Sequence, residues 1–387
     1  MDLDLFFTPV DEQLTDSISS VSSFYKGINV NTGKLPKLED HSIALFGINF
    51  YQNNNTLKGI AQGADIIRDK LYHLKRGEGS HTIIDLGNLN PGVDLEETYG
   101  RIKEVCEHLI RNSIIPVIIG GTHNMDYGQF MAYEGLEKLI TVLNVDAFLD
   151  MEESEHPEQT HIHQMLVHEP NYLFHYSHLA YQSYLIEKTS ISVLERLYFE
   201  TYRIGHLREL LKDVEPIIRE ADMLSFDISA IRSSDAPGSN NAQPFGLTGE
   251  EACQICWYAG QNEKLSSAGF YEYDPTKDDS SHKTASVIAI MIWYFLEGIN
   301  HRKGESANNT ENYTKYVVEM HGESLASIVF YKSTMSERWW MEIPLEDNKS
   351  LATYGRNSLA PCSYTDYETA AKGEVPDRYV NILARLN

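Results

Sequence analysis

Three apolar segments that each end at residues with chemically versatile side chains constrain the fold of this chain more than any other feature. Residues 142–145 carry no charge and lead into Asp146, and Asp150 follows in the same stretch. Residues 113–119 lead into Gly-Gly-Thr-His, which places His123 at the end of the segment. Residues 223–226 lead into Asp227. Runs of this kind are typical of strands buried on both faces of a parallel sheet.

The rest of the first 300 residues alternates between similar strands and amphipathic or apolar helices. Further strands are predicted at 42–50, 82–86 and 268–272, and helices at 61–74, 96–111 and 283–298. Strands at 192–200 and 222–228 are expected around a helix at 206–220. Such alternation predicts the α/β class, with a mostly parallel sheet between two helical layers and right-handed crossovers.

The polar residues at the strand ends form a candidate metal site. Ligands of open parallel sheets bind at the carboxyl ends of the strands, where His123, Asp146, Asp150 and Asp227 all fall. One imidazole with several carboxylates suits Mn²⁺ or a similar ion better than zinc, which favours tetrahedral nitrogen and sulfur ligands. A single Asp at a strand end is more often a turn former or a helix cap. Three such ends in succession favour the metal site.

The order of the motifs resembles the arginase, agmatinase and formimidoylglutamase superfamily, the ureohydrolases. The resemblance covers roughly residues 40–300 and rests on Gly-Gly-x-His at 120–123, Asp-Ala-x-x-Asp at 146–150, Ser-Phe-Asp at 225–227, Ala-Pro-Gly at 236–238, Gly-Leu-Thr at 246–248 and Glu-x-x-Pro at 272–275. The loop 236–247 looks most like that of formimidoylglutamases. The resemblance implies an arginase-like fold and metal-dependent hydrolysis of a C–N bond in a linear amidine or guanidine substrate.

Several departures from the family pattern concentrate in the metal motifs. The second motif of the family reads Asp-Ala-His-x-Asp, and its histidine position holds Phe148 here. The third motif reads Asp-x-Asp, and its second aspartate is Ser229 here. Thr122 replaces an aspartate that precedes the histidine of the first motif, and Arg-Ser at 232–233 replaces an Asp-Pro.

The resemblance assigns a role to each matching position. In the family two Mn²⁺ ions share two carboxylates, which match Asp146 and Asp227, and the first ion is completed by residues that match His123 and Asp150. The second ion is completed by the positions that now hold Phe and Ser. One Mn²⁺ per chain, or none, is therefore expected. By the same analogy Asp150 is the proton carrier and Glu272 the partner of a cationic substrate group. The alternative is a catalytically inactive member that acts as a binding or scaffold protein.

Composition narrows the cellular context and the partners. The net charge of −24 disfavours nucleic acid and anionic membranes, and it fits either a cationic substrate or simply an acidic, solvated surface. No apolar run reaches the roughly 18–20 residues of a membrane span. The start of the chain lacks the basic segment of a signal peptide, so a cytoplasmic location is expected. The family resemblance adds the expectation of a homo-oligomer.

Two further groups of possible metal ligands need separate interpretation. Cys253 and Cys256 have redox or zinc spacing, but they fall in a helix that a capping box at 248–251 opens, which favours core packing. The polar loop predicted at 151–178 holds six histidines, at 156, 161, 163, 168, 175 and 178. His161 and His163 would lie on one side of an extended segment, as a replacement metal site. The alternative is that these are solvent-facing residues of a loop.

The two ends of the chain are predicted to lie outside the core of 41–300. Residues 1–40 have weak periodicity, which suggests an arm that is not part of the sheet. Residues 301–387 begin with a polar linker at 304–312 and continue with strands at 314–320, 326–332 and 338–344, which predict a small β-rich extension. The adjacent Trp339 and Trp340 are expected either to pack within the chain or to mark a protein interface.

Overall fold

A ten-stranded sheet forms the centre of the molecule. The computed structural model describes residues 3–49, 62–136, 138–151, 157–209, 211, 213–305, 312–320, 326–344 and 359–386. The strands are β1 Phe7–Thr8, β2 Asn29–Val30, β3 Ile43–Ile48, β4 Ile83–Leu89, β5 Ile115–Ile119, β6 Ile140–Val145, β7 Leu173–Tyr181, β8 Glu200–Arg203, β9 Met223–Asp227 and β10 Ser267–Tyr271. Their order is β1-β4-β3-β5-β10-β9-β6-β7-β8, with β2 also beside β4. Every pairing is parallel except that of β1 with β4.

Helices cover both faces of this sheet. They are α1 Gln13–Asp16, α2 Gly63–His73, α3 Leu95–Arg111, α4 Asp126–Met131, α5 His161–Val167, α6 Lys188–Arg196, α7 Ile204–Glu209, α8 Glu215–Arg219, α9 Gly249–Gln261 and α10 Lys283–Asn300. Alternate residues of β3 divide between the layers: Ile43 and Leu45 pack in a cluster with α2, α9 and α10, whereas Ala44 and Phe46 pack with α3. The predicted three-layer α/β/α fold with a mostly parallel sheet is confirmed.

The central strands are buried along their length, as their apolar sequences predicted. All residues of β3, β6, β9 and β10 are buried, and so is β5 after its first residue. Thr248 and Glu251 form the predicted capping box at the start of α9. On that helix Cys256 is buried and Cys253 is half-buried, both as free thiols, so the core-packing interpretation is correct.

Four of the predicted segments differ from the structure. The single helix predicted at 206–220 is divided into α7, which ends at Glu209, and α8, which begins at Glu215. The expectation that residues 1–40 stay out of the sheet is wrong, because β1 and β2 both pair with β4. Each is only two residues long, which is too short for a periodic signal. Residues 192–200 do not form a strand, since α6 runs to Arg196 and β8 begins at Glu200. Residues 151–178 are not one loop, because α5 and most of β7 lie there.

The C-terminal residues form a second, antiparallel sheet of four strands. These are β11 Tyr313–Glu319, β12 Ser327–Ser333, β13 Trp339–Glu342 and β14 Leu359–Cys362, in that order across the sheet. Two helices that the sequence analysis did not predict follow, α11 Tyr364–Ala371 and α12 Asp377–Leu386. The predicted linker at 304–312 lies largely outside the described residues.

The paired tryptophans attach this extension to the core. The guanidinium carbon of Arg219, in α8, lies 4.2 Å from the centre of the Trp340 ring. Arg219 Nη2 also donates to the carbonyl oxygen of Trp339 over 3.0 Å. Both tryptophans are less than 9% exposed, so the intramolecular alternative is the correct one. Among the described residues, no helix is long and apolar enough to cross a membrane.

Candidate metal centre

The four middle strands of the sheet bring the predicted site residues together. In the order β5-β10-β9-β6, their carboxyl ends present His123, Glu272, Asp227 and Asp146. The turn after β5 needs two glycines, because Gly120 and Gly121 have φ angles of 80° and 81°, in the left-handed region. The Gly120 amide donates to Phe270, the residue before the end of β10, so the turn stays attached to the neighbouring strand.

The imidazole of His123 lies at the centre of this cluster. Its Nδ1 atom is 3.2 Å from Asp227 Oδ2, 3.3 Å from Asp146 Oδ2 and 3.5 Å from Asp150 Oδ2. All four side chains are buried or nearly so. An octahedral divalent ion with ligands at about 2.1–2.5 Å places neighbouring ligand atoms about 3.0–3.5 Å apart. The ligand atoms of His123, Asp146 and Asp227 lie within 4.8 Å of one another, and so do those of His123, Asp150 and His161. Each of these two sets, which share His123, could hold a divalent cation.

The hydrogen bonds around His123 leave its Nδ1 atom directed at these carboxylates. Ser225 Oγ donates to Asp126 Oδ2 over 2.9 Å, so it accepts from Nε2 of His123, also at 2.9 Å. Within the described residues neither His123 Nδ1 nor Asp146 Oδ2 has a hydrogen-bond partner, although both atoms are buried. Three carboxylates around Nδ1 call for a positive charge beside this atom, which either a proton on Nδ1 or a bound cation would supply. These donors are the types that Mn²⁺ accepts.

The remaining oxygens of the two shared carboxylates are bound by the protein itself. Asp146 Oδ1 accepts hydrogen bonds from Ser229 Oγ at 2.8 Å and from the Phe148 amide at 3.0 Å. Asp227 Oδ1 accepts from the Ser229 amide at 2.6 Å. The phenyl ring of Phe148 offers no ligand atom. Where the family resemblance puts a second ion, the Oδ1 atoms of Asp146 and Asp227 thus accept hydrogen bonds from the protein, and the side chain at position 148 supplies no ligand.

A second histidine and a buried aspartate complete the site. Asp126, at the start of α4, holds His161 Nδ1 at 2.7 Å, and His161 Nε2 lies 3.1 Å from Asp150 Oδ2. Both nitrogens of His161 thus face carboxylates. Burial alone would lower the pKa of His161, but the charge of Asp126 and the hydrogen bonds to both aspartates raise it to about 9. His161 is consequently an imidazolium near neutral pH in this arrangement.

Glu272 closes the site on the side of β10. Its Oε1 atom accepts from the His123 amide at 2.9 Å, and its own amide donates to Gly121. Burial and the charge of Asp227 raise the pKa of Glu272 to about 8. The pKa of Asp150 moves the other way: burial opposes its ionisation, but the adjacent imidazoles of His123 and His161 hold the pKa below its usual value.

The structure changes the interpretation of the histidine-rich segment. His161 and His163 do not share one side of an extended segment, because both lie in α5, where His161 is buried and His163 is exposed. His178, in β7, is buried and its Nε2 lies 3.1 Å from the backbone oxygen of Asp146. His175 is also buried and His168 is half-buried, whereas His156 lies outside the described residues. The expectation of a solvent-facing loop is wrong for most of these residues.

Sequence reasoning missed Asp126 altogether, and it named Ser225 only as part of a motif, without a role in the site. Asp126 follows His123 by three residues, a spacing that puts both side chains on one side of a helical turn. Ser225 precedes Asp227 by two residues in β9, so both side chains point to one face of the sheet. These spacings could have placed both residues near the site. An aspartate or a serine at such a position does not identify a metal site, however, unless the neighbouring strands are known.

Comparison with known proteins agrees with this geometry. A parallel sheet that holds a carboxylate-rich site for a divalent cation at its strand ends defines a class of metal-binding α/β proteins. Residues 41–297 match the Arginase family, and since this is well over half of the chain, the protein belongs to that family. The predicted resemblance is confirmed.

Several of the similar proteins are formimidoylglutamases. The chain is 25% identical to the formimidoylglutamase of Streptococcus gordonii over 298 residues, which cover 70% of this chain and 88% of that protein. The crystal structure of formimidoylglutamase from Bacillus subtilis superposes with a TM-score of 0.64 at 18% identity, covering 74% of this chain and 95% of the other. That of Trypanosoma cruzi formiminoglutamase with Mn²⁺ gives 0.63 at 19% identity, covering 70% and 97%. At these identities the structures show a shared fold.

Proposed function

We propose that this protein hydrolyses a C–N bond in a linear amidine or guanidine substrate with one Mn²⁺ ion, held by His123, Asp146, Asp150 and Asp227. One observation carries the proposal. The Oδ2 atoms of three aspartates converge on His123 Nδ1, whereas the Oδ1 atoms of the two shared aspartates accept hydrogen bonds from the protein. The donors thus support an ion beside His123 Nδ1, and among the described residues Phe148 and Ser229 supply neither an imidazole nor a carboxylate for the second ion of the family.

The reaction follows from the class of substrate. Water adds to the amidine or guanidine carbon and the bond to one nitrogen breaks, which leaves an amide or urea and a free amine. A divalent ion in this site would lower the pKa of water and stabilise the charge that develops during its attack. The remaining requirements are a proton for the departing amine and a partner for the substrate cation, and the chain supplies candidates for both.

The proton route is formed by three buried side chains in series. Asp150 Oδ2 lies beside the proposed ion position and accepts from His161 Nε2, while His161 Nδ1 donates to Asp126 Oδ1. Asp150, ionised because its pKa is low, would take the proton of the attacking water and deliver it to the leaving amine, and the positive charge of His161 would stabilise the carboxylate before and after the transfer. Asp126 keeps the imidazole in position and stabilises its positive charge.

Glu272 is the proposed partner of the cationic substrate group. It is 6% exposed, and its position at the end of β10 is fixed by the hydrogen bond that Oε1 accepts from the His123 amide. An amidinium or guanidinium group beside Glu272 would favour the ionised form of this buried carboxyl, and the resulting ion pair would select such cations over neutral amides. The names of the similar proteins point to formimidoylglutamate, an amidine, as the first substrate to test.

The metal content per chain tests this proposal. The protein is loaded with Mn²⁺, desalted and analysed by elemental mass spectrometry, with Asp146→Ala as the variant that removes a ligand and Asp279→Ala as a matched control away from the site. We expect about one ion per chain, retained in the control and lost in Asp146→Ala. Amine release from formimidoylglutamate, arginine and agmatine is then measured on the loaded protein. Two ions per chain would contradict the single-site assignment.

A second candidate function is that of a binding protein without catalysis, and the replacement of both second-ion ligands by Phe148 and Ser229 favours it. The two candidates predict different results in the same assay. A protein that holds one ion and binds the amidine, as seen in a thermal shift, but releases no amine would support the binding function. Turnover that disappears in Asp150→Asn while the ion is retained would exclude it.

A further inference from the structure

The edge strand of the C-terminal sheet, β11, combines exposed side chains with an outer backbone edge. Among the described residues β11 pairs with β12 alone, so one of its edges carries no strand. Lys315, Val317 and Glu319 are exposed, and Val317 is 59% exposed. An ordered strand edge with exposed apolar and charged side chains is a ready template for another strand.

The hydrogen bonds of the β11–β12 ladder show which backbone groups are left at this edge. The Thr334 amide donates to the Asn312 carbonyl, and the Met320 amide donates to the Ala326 carbonyl. Because bonded and non-bonded pairs alternate in an antiparallel ladder, the even-numbered residues of β11 bond to β12. The N–H and C=O groups of the odd-numbered residues from Tyr313 to Glu319 therefore point away from the sheet.

We propose that two copies of this chain pair antiparallel along β11, about a two-fold axis at Val317. In this register Val317 lies opposite Val317 of the partner subunit, and Lys315 lies opposite Glu319 of the partner subunit. The odd-numbered residues exchange backbone hydrogen bonds, and two opposite-charge pairs form on the same face. The edge is thus complementary to itself in shape, hydrogen bonding and charge.

The opposite face of the strand supports the same register. Tyr316 and Val318 point into the hydrophobic cluster of the extension, which also contains Phe330 and Met341. Pairing at Val317 places Tyr316 beside Val318 of the partner subunit, so the two apolar faces continue as one. On the outer face Lys315 extends over the Tyr331 ring, 5.7 Å from its centre, which holds the ammonium near the edge.

Charge reversal provides the decisive experiment. The mass of the full chain in solution is measured by sedimentation equilibrium for the wild type, Lys315→Glu, Glu319→Lys and the double variant. Each single reversal places like charges opposite each other at two positions in the dimer. We therefore expect the dissociation constant of the dimer to rise about tenfold or more and the mass in solution to halve. The double variant restores opposite charges and should regain the wild-type mass. A wild-type mass that no reversal changes, or a double variant as dissociated as the singles, would overturn the proposal.

A backbone variant tests the hydrogen bonds independently of charge. In Val317→Pro the lost N–H is one that points away from β12, so the ladder with β12 is kept while the outer edge loses a central donor. We expect the mass to halve with an unchanged circular dichroism spectrum. The alternative explanation is that Lys315 and Glu319 protect the edge from aggregation. In that case the wild type carries no contact at this edge, and Lys315→Glu and Val317→Pro leave its mass unchanged.

Discussion

The two oxygens of Asp146, and likewise those of Asp227, lie in two different environments. Each Oδ2 faces His123 Nδ1 at 3.2–3.3 Å, in a set of atoms that fits a cation. Each Oδ1 accepts hydrogen bonds from the segments that carry Phe148 and Ser229. The comparison teaches that the replacements at positions 148 and 229 do more than remove two ligands, because the Oδ1 atoms of both aspartates accept hydrogen bonds from the same segments.

The energetic reason lies in the cost of burying a carboxylate oxygen. An unpaired buried acceptor costs about 1–3 kcal/mol, and more if it is charged. Ser229 is fully buried and its hydroxyl and amide serve one oxygen of each aspartate. On the other half, Asp146 Oδ2 is without such a partner in the described structure. Substitutions on the Oδ1 side of the two aspartates and on their Oδ2 side are therefore expected to have different effects.

The largest effect is expected from rebuilding the second half. Phe148→His together with Ser229→Asp returns an imidazole and a carboxylate to the side of the Oδ1 atoms. We expect the Mn²⁺ content to rise from about one to about two ions per chain, measured by elemental mass spectrometry. Phe148→His with Ser229→Asn is the matched control, since asparagine has the shape of aspartate without its charge. If the Mn²⁺ content did not rise in the double variant, residues besides 148 and 229 would be needed to form a site for a second ion.

A smaller effect is expected from Asp126→Asn, on the half that faces the ion. The amide keeps the shape of the side chain but removes the charge that holds His161 and accepts from Ser225. Loss of an outer partner of a metal ligand typically weakens metal binding by about 10–100-fold. Titration calorimetry with Mn²⁺ measures this change. The contrast variant is Asp65→Asn, in α2, which should bind Mn²⁺ as tightly as the wild type; equal affinity of all three proteins would contradict the assigned role.

The smallest effect is expected from Ser229→Ala. This change leaves Asp146 Oδ1 with the Phe148 amide alone, so the free energy of unfolding should fall by about 1–2 kcal/mol. Urea denaturation of the metal-free protein measures it, and the number of bound ions should stay the same. If Ser229→Ala lost the ion instead, the hydroxyl would belong to the metal half of the site, and the division between the two halves would fail.

Much of the fold was predictable because burial on both faces leaves a strong sequence signal. The apolar runs of β5, β6 and β9 identified the middle of the sheet, and the residues at their ends identified four members of the cluster. The edge segments gave no such signal: β1 and β2 are two residues long, α5 lies in a stretch that was predicted as a loop, and the end of α6 was predicted as a strand. Tertiary contacts, not local propensity, decide such segments.

The sequence by itself determined the family, the parallel sheet and the convergence of His123, Asp146, Asp150 and Asp227, since parallel strands end at one edge of the sheet. It also identified the two replaced positions. The tertiary structure alone decided that Asp126 and His161 join the site, because they come from α4 and α5, which pack together only in the folded chain. It alone decided how each carboxylate divides its two oxygens, since hydrogen-bond direction depends on the position of every neighbouring donor.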